Sequence, residues 1–310
     1  MTMRNTTVFI DAFAGEDARG NLAAVVELDA FPDDAVLQAQ AAEIGAPATA
    51  FLRARDSHGA FDVRWFSPEQ EIILCGHGGL AAGHVALSQT QAQSVNMHTA
   101  TGKVLSISNS WPDASYELSL PALLTQPHEW PELVAALGAE PRELRWNPAG
   151  YALAIYDRPE QVAGLNPDMS GLATQGKVQI TASAAGSLHG RESDITSRVF
   201  SGTGREDAAT GSAHAVLTPY WSEKFGKPQL RAFQASARGG VFVCRMAADQ
   251  VVLGGQCKEV PTLSDGVQFH HVSHFLQHGN ALLAIRMAQS HDCQALLWRD
   301  DHILSHVTDQ

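Results

Sequence analysis

Two glycine-rich segments of this chain carry residues that could do chemistry. The first is CGHGGLAAGH, residues 75–84, and the second is EDAATGSAHAVL, residues 206–217. In each, a tight turn leads into a helix of small residues, so unpaired backbone N–H groups lie at the positive end of the helix dipole. Such a turn binds anions, including a substrate carboxylate. A carboxylate held by two facing turns has an acidified α-carbon, because the enolate-like charge is stabilised as it develops.

Groups able to carry a proton accompany both turns. Cys75 and His77 belong to the first turn, and Glu206 and Asp207 belong to the second. General acid–base catalysis requires such groups within reach of the substrate. Taken singly, each feature has a simpler interpretation: the glycines allow close helix packing, Asp207 caps a helix, and Cys75 is a small buried hydrophobe. The pairing of both turns with acids and a histidine favours a functional site.

The elements that must position these turns occur in one order twice. In each half, short β-rich segments such as TVFIDAF, FDVRWFS and ITSRVF precede the turn, and a small-residue helix and further strands follow it. The second of these helices is predicted over residues 206–226. Cys75 and Thr210 hold equivalent places in the two halves. A duplicated α+β unit is therefore predicted, with a small-molecule site in the cleft between the halves.

The predicted halves span residues 1–112 and 113–260, and the last strands of the second can return to the first. FPDDAVLQAQAAEIG, in the first half, is predicted to form a helix that begins at Asp33 or Asp34 and ends at Gly45. Beyond residue 260 the character of the chain changes.

Seven of the 14 histidines lie in the last 41 residues, and His270, His274 and His278 would share one face of a helix. Metal binding by this tail, residues 261–310, is one interpretation. No carboxylate or cysteine accompanies these histidines at ligand spacing, which favours a polar surface helix or a poorly ordered tail and no metal site.

Composition limits the partners. The chain has 310 residues, 45% of them hydrophobic, and 33 acids against 21 bases give a formal net charge of −12. We therefore expect no nucleic-acid partner and no anionic-membrane partner, since both need clustered Lys and Arg. No apolar run is long enough to span a membrane, the N-terminus has no secretion signal, and the four cysteines form no CxxC. A cytoplasmic protein with reduced thiols is expected.

The chain resembles the PhzF-like (phenazine biosynthesis) family, which has the diaminopimelate epimerase fold. The matching segments are VFIDAF with GNLAAVV, RWFSPEQEIILCGHGGLAAGHVAL, RVFSGTGREDAATGSAHAVLTPYW and FQASARGGVFV, in the family's order. The resemblance implies an α+β fold of two pseudo-symmetric domains, each a barrel-like mixed sheet around a central helix. It also implies an isomerase that uses no cofactor, acts on a small carboxylate substrate and is often a homodimer.

The resemblance also implies roles for individual residues. His77, Asp207 and Ser212 match catalytic positions of the family, and Cys75 matches the catalytic cysteine of epimerases with this fold. The implied substrate-binding residues are Asn21, Gly76, Gly78, Thr210 and Gly211, together with Ser212.

One departure from the family is central. The family's proton-carrying glutamate falls at Ala48 in the segment IGAPATAF, and alanine carries no proton. Three interpretations follow. The protein is an isomerase or epimerase that uses Cys75, His77, Glu71 or Asp207 instead; or it is a lyase that uses the same cleft; or it is a catalytically silent ligand-binding or regulatory protein.

Overall fold

The computed structural model describes residues 7–55, 59–73, 75–90, 92–109 and 116–261. The sequence-based prediction for the histidine-rich tail concerns residues that, apart from Pro261, lie outside these ranges. Residues up to Val260 form one unit. Within the described ranges, no helix is long and apolar enough to cross a membrane.

The described residues form six α-helices and 17 strands. The helices are α1 (Asp34–Ile44), α2 (Gly76–Ser88), α3 (Pro131–Leu137), α4 (Pro159–Ala163), α5 (Met169–Ala173) and α6 (His214–Phe225). The strands are β1 (Thr7–Ala14), β2 (Asn21–Glu27), β3 (Ala48–Ala54), β4 (Ala60–Phe66), β5 (Glu71–Ile72), β6 (Ser94–Thr99), β7 (Val104–Ser108), β8 (Tyr116–Pro121), β9 (Gln126–Pro127), β10 (Glu143–Asn147), β11 (Tyr151–Tyr156), β12 (Gln179–Ala185), β13 (Ile195–Ser201), β14 (Arg205–Asp207), β15 (Gln229–Gln234), β16 (Gly240–Ala247) and β17 (Gln250–Val260).

Eight of these strands close into a mixed barrel around α2. The order is β1-β2-β3-β4-β6-β7-β8-β17, and β17 pairs with β1 to close it. Strands such as β6 and β7 alternate buried and exposed residues, as expected of a sheet with one face on a core. The inward residues pack against α2, which has small residues because the wall lies close. A Cβ added at Gly79 would lie 2.7 Å from Leu105 Cδ2, and one added at Gly83 would overlap Ile107.

The second half repeats this arrangement around α6. Strands β10, β11, β12, β13, β15, β16 and β17 follow one another in the sheet. The parallel pairs β11–β12 and β13–β15 correspond to β2–β3 and β4–β6 in the first half. The predicted α+β fold of two pseudo-symmetric units is thereby confirmed. Strand β17 pairs with β16 in one half and with β8 and β1 in the other, and the boundaries at 1–112 and 113–260 stay a prediction.

The structure differs from the sequence-based prediction in several short elements. Helix α6 does not extend over residues 206–226: Arg205–Asp207 is strand β14, and a single 3-10 turn, Gly211–Ala213, precedes the helix at His214. Elements of two to five residues such as β5, β9, α4 and α5 are too short for a periodic pattern to reveal. Helix α1 ends at Ile44, and Gly45, which was predicted to end it, follows in the left-handed conformation; the side chain of Asp33 makes no capping hydrogen bond.

Candidate active site

The two glycine turns meet. Cys75 precedes α2 with φ −129° and ψ 110°, and Thr210 precedes the Gly211–Ala213 turn with φ −116° and ψ 97°. The backbone therefore enters both helices in nearly the same conformation. A Cβ added at Gly76 would lie 3.5 Å from the Cα of Gly211 and 3.8 Å from the backbone nitrogen of Ser212. The start of each half's central helix thus faces the other, as the sequence-based hypothesis requires.

Cys75 and His77 form a pair at the start of α2. The Sγ atom of Cys75 lies 3.6 Å from Nδ1 of His77 and accepts a hydrogen bond from the backbone N–H of Gly78 at 3.4 Å. Cys75 is 4% exposed, whereas His77 is partly buried. The N–H of Gly78 is therefore bound to the thiol, and the substrate contact predicted for Gly78 stays a prediction. The thiol and the imidazole are therefore close enough to interact at the N-terminus of α2.

The surroundings of His77 favour its protonated form. Burial by itself would lower the pKa of His77. The charge interaction and the hydrogen bond with Cys75, together with the charge of Asp207, outweigh burial and raise the pKa of His77 to about 8. An imidazole with this pKa is protonated at neutral pH and can donate a proton.

Asp207 is held from both sides. Its Oδ1 accepts a hydrogen bond from Asn21 Nδ2 at 2.7 Å, and its Oδ2 accepts one from the hydroxyl of Thr210 at 2.6 Å. Asn21 also donates to the carbonyl of Ala209 at 3.0 Å. The two bonds of Asn21 cross between strand β2 of the first half and the turn of the second. The polar groups of Asn21 and Thr210 are bound within the protein, and the substrate contacts predicted for both stay predictions.

Gln234 was not singled out in the sequence, yet it fixes the second turn. Its Oε1 accepts the backbone N–H of Thr210 at 2.8 Å, and its Nε2 donates to the carbonyl of Asp207 at 2.6 Å. Its side chain is fully buried. Gln234 lies in the family-matching segment FQASARGGVFV, but that segment does not identify the loop that the side chain holds.

Ser212 contacts a residue that the motifs do not include. Its hydroxyl donates to Oε1 of Gln179 at 2.7 Å. Ser212 remains partly exposed, so it lies at the accessible side of the turn contact.

Two other acids considered from the sequence are bound elsewhere. Glu71 accepts two hydrogen bonds from Arg64, at 2.8 and 2.7 Å, on the surface. Glu206 accepts two from Arg198, at 2.7 and 2.8 Å. Both carboxylates are engaged in paired contacts with arginine. Of the acid and base groups considered from the sequence, the structure therefore brings Cys75, His77 and Asp207 to the turn contact.

The comparisons with known proteins agree with this geometry. The profile of the phenazine biosynthesis-like protein family matches residues 10–260. The chain belongs to this family. An uncharacterized isomerase of Pseudomonas aeruginosa is 38% identical over 259 residues, which are 81% of this chain and 95% of that protein. A second, from Halalkalibacterium halodurans, is 34% identical and covers 83% of this chain and 97% of that protein.

A solved PhzF-family structure from Enterococcus faecalis superimposes with a TM-score of 0.74 at 31% identity. It covers 82% of this chain and 96% of its own. The resemblance inferred from the motifs is thus confirmed over the whole two-half unit.

Ala48, where the resemblance implies the family's glutamate, lies in the apolar interior. It is fully buried on β3, opposite Ala23 of β2, in the same cluster as Cys75 and Trp65. Within the described part of the chain, the indole N–H of Trp65 has no hydrogen-bond partner. Trp65 is paired with Ala50, so it lies diagonally across β3 and β4 from Ala48, within reach of a long side chain at that position. At this place the protein has a methyl group and an unpaired donor.

No group of three or more His, Cys, Asp or Glu that could hold a metal ion occurs among the described residues.

Proposed function

We propose that this protein is a cofactor-independent isomerase that transfers a proton at a carbon near the carboxylate of a small amino or dihydroaromatic acid. The observation that carries the proposal is the contact between the start of α2 at Gly76 and the turn at Gly211 that leads into α6, beside the Cys75–His77 pair. Both turns supply backbone donors for a carboxylate, and the pair supplies an acid and a base. Membership in a family whose relatives are named as isomerases supports the reaction class.

The substrate carboxylate binds at the turn contact. Unpaired N–H groups at the start of a helix attract an anion, and the helix dipole adds to the attraction. As a proton leaves the adjacent carbon, negative charge develops on the carboxylate oxygens, where these donors stabilise it. The turns therefore bind the transition state more strongly than the ground state, which is the condition for catalysis.

The Cys75–His77 pair moves the proton. The thiolate of Cys75 removes a proton from one carbon, and the imidazolium of His77 delivers its own proton to a nearby carbon on the same face of the substrate. Afterwards Cys75 is a neutral thiol and His77 a neutral imidazole. Transfer of the proton across their 3.6 Å contact restores the starting pair. No carboxylate is required at position 48.

Asp207 acts on this pair through its charge. Both carboxylate oxygens accept hydrogen bonds, from Asn21 and Thr210. The carboxylate therefore stays in place, and its charge helps to keep His77 protonated. Ser212, at the accessible side of the contact, adds a polar contact for the substrate.

A silent binding protein is the second candidate, because Ala48 removes the family's acid. Product analysis separates the candidates. Purified protein is incubated with a panel of small amino acids and dihydroaromatic acids, and each product is examined by chiral chromatography and mass spectrometry. A rearranged product of unchanged mass supports the isomerase. Loss of a small molecule indicates a lyase, and ligand binding without any product indicates the silent protein.

We further propose that the protein works as a cytoplasmic homodimer. Sedimentation equilibrium of the purified chain tests the oligomeric part, and a monomer at micromolar concentration would contradict it.

A further inference from the structure

Arg238 lies in the loop between β15 and β16 and binds a loop of the first half. Its guanidinium donates through Nε to the carbonyl of Gly20 at 2.9 Å, and through Nη2 to the carboxylate of Asp11. Backbone bonds add to this contact. The carbonyl of Arg238 accepts from the N–H of Arg19 at 2.7 Å, and the carbonyl of Gly239 accepts from the N–H of Gly20 at 2.8 Å. The β15–β16 loop is therefore bound to the turn that joins β1 to β2.

The residue that follows this turn belongs to the site. Asn21 is the first residue of β2, and its side chain donates to Oδ1 of Asp207 at 2.7 Å and to the carbonyl of Ala209 at 3.0 Å. The carbonyl of Gly20 lies in the same planar peptide unit as the backbone nitrogen of Asn21. By binding that carbonyl, Arg238 fixes the orientation in which β2 begins and from which the Asn21 side chain extends.

The β15–β16 loop also holds the other side of the Asn21–Asp207 contact. The hydroxyl of Ser236 donates to the carbonyl of Ala208, the residue after Asp207, at 2.5 Å. One loop thus binds both the turn that precedes Asn21 and the turn that contains Asp207. The separation of these two side chains therefore depends on the bond that Arg238 makes to the first turn.

Asp11 orients Arg238 from β1. The side chains of Asp11 and Arg238 are 16% and 30% exposed, so salt screens their ion pair less than it would screen a pair on the surface. A guanidinium presents its donors in a fixed planar fork, so one part binds Asp11 while another binds the carbonyl of Gly20. A lysine ammonium keeps the charge at this position but lacks the fork.

We propose that Arg238 is a positioning residue, which holds Asn21 through Gly20 so that Asn21 keeps the Asp207 carboxylate beside His77. This inference rests on the proposed function, in which the charge of Asp207 helps to keep His77 protonated. Loss of Arg238 should lower kcat about 10- to 100-fold, which is the usual effect of a small misplacement far from the reacting atoms. KM should stay nearly unchanged, because the glycine turns that bind the carboxylate are intact.

Two variants of Arg238 test the inference. Arg238→Met keeps an unbranched side chain and removes its donors, whereas Arg238→Lys keeps the charge without the fork. Arg53→Met is the matched control, because Arg53 forms a similarly exposed ion pair with Asp62 between strands of the first half alone. Deuterium exchange with the panel of acids gives kcat and KM. NMR titration, with the resonance assigned by its loss in His77→Gln, gives the pKa of His77 without any substrate.

We expect Arg238→Met to lower kcat and the pKa of His77, Arg238→Lys to have an intermediate effect, and Arg53→Met to match the wild type. In an Asn21→Ala background, Arg238→Met should cause no further fall in the pKa of His77, because the connection through Asn21 is already broken. The inference is overturned if Arg238→Met leaves the pKa of His77 unchanged, or if it lowers this pKa equally in the Asn21→Ala background. In case Arg238→Met does not fold, the same two criteria apply to Arg238→Lys.

The NMR titration separates this inference from the proposed function. Exchange in the wild type, with an unchanged pKa of His77 in Arg238→Met, overturns the positioning role alone. If no acid undergoes exchange in the wild type, the isomerase proposal fails. A fall in the pKa of His77 that depends on Asn21 would then still support the positioning role of Arg238.

Discussion

The Cys75–His77 pair should make the stability of the protein depend on pH in a defined window. The pKa of His77 is raised from 6.5 to about 8 in the folded protein. Because the folded state holds this proton more tightly than the unfolded state, the stabilisation is fully present below pH 6.5. It is lost as the pH rises through about 8.

The expected size follows from the pKa values. One pKa unit corresponds to about 1.4 kcal/mol, so the pair contributes about 2 kcal/mol of unfolding free energy below pH 6.5. His77→Gln removes the titrating group and should abolish this contribution. Cys75→Ser removes the charge and hydrogen bond that raise the pKa, while burial, which lowers it, remains. The fall in stability with rising pH should then shrink or reverse.

Urea unfolding at intervals between pH 5.5 and pH 9, in the presence of a reductant, provides the measurement. All other titrating groups are common to the wild type and the variants, so the difference between their pH profiles isolates the pair. Titration of the His77 imidazole by NMR gives the pKa directly. If His77→Gln shows the same fall as the wild type, or if Cys75→Ser leaves the pKa of His77 near 8, the coupling described above does not exist.

Three further outcomes can be checked. Asp207→Asn should keep the fold, because an amide at this position can still hydrogen-bond to Asn21 and Thr210. It should lower turnover at least tenfold, because the charge beside His77 is removed. Unchanged turnover with the panel of acids would exclude Asp207 from the mechanism. Gly83→Ala should destabilise the protein by about 1–3 kcal/mol, because the added methyl group overlaps Ile107 in the barrel wall. In Gly76→Ala the added methyl group makes only ordinary van der Waals contacts, so the melting temperature should stay nearly unchanged. Burial lowers the pKa of His214 to about 4, so the free energy of unfolding should fall as the pH drops from 6.5 towards 4. His214→Gln should flatten that part of the pH profile measured by urea unfolding. An equal fall in this variant would show that another group causes it.

The sequence was informative where local patterns determine structure. The glycine turns that start at Gly76 and Gly211 follow from residue types that adopt and pack in such turns, and the repeated strand order predicts the duplicated fold. The predicted strand segment FDVRWFS overlaps β4, where burial alternates with a period of two over residues 60–65. The family resemblance rested on the same local segments.

The residues that complete the site could not be predicted in this way. Gln234 is 24 positions from Thr210, and Gln179 is 33 positions from Ser212. Each contact depends on how separate strands pack in three dimensions. Gln234 lies in the family-matching segment FQASARGGVFV, but that segment does not tell which loop the side chain holds, and Gln179 belongs to none of the quoted segments. The ion pairs that occupy Glu71 and Glu206 are likewise invisible in the sequence, because each joins neighbouring strands whose register must first be known.

The central claim is that Cys75 and His77 transfer a proton although position 48 carries no acid. The most direct measurement is solvent deuterium incorporation, read by mass spectrometry, for wild type, Cys75→Ser and His77→Gln with the panel of small amino and dihydroaromatic acids. The account predicts exchange at one carbon of at least one acid in the wild type, and a fall of about 100-fold or more in each variant. Exchange that persists at the wild-type rate in Cys75→Ser and His77→Gln, or no exchange with any acid in the wild type, would contradict it.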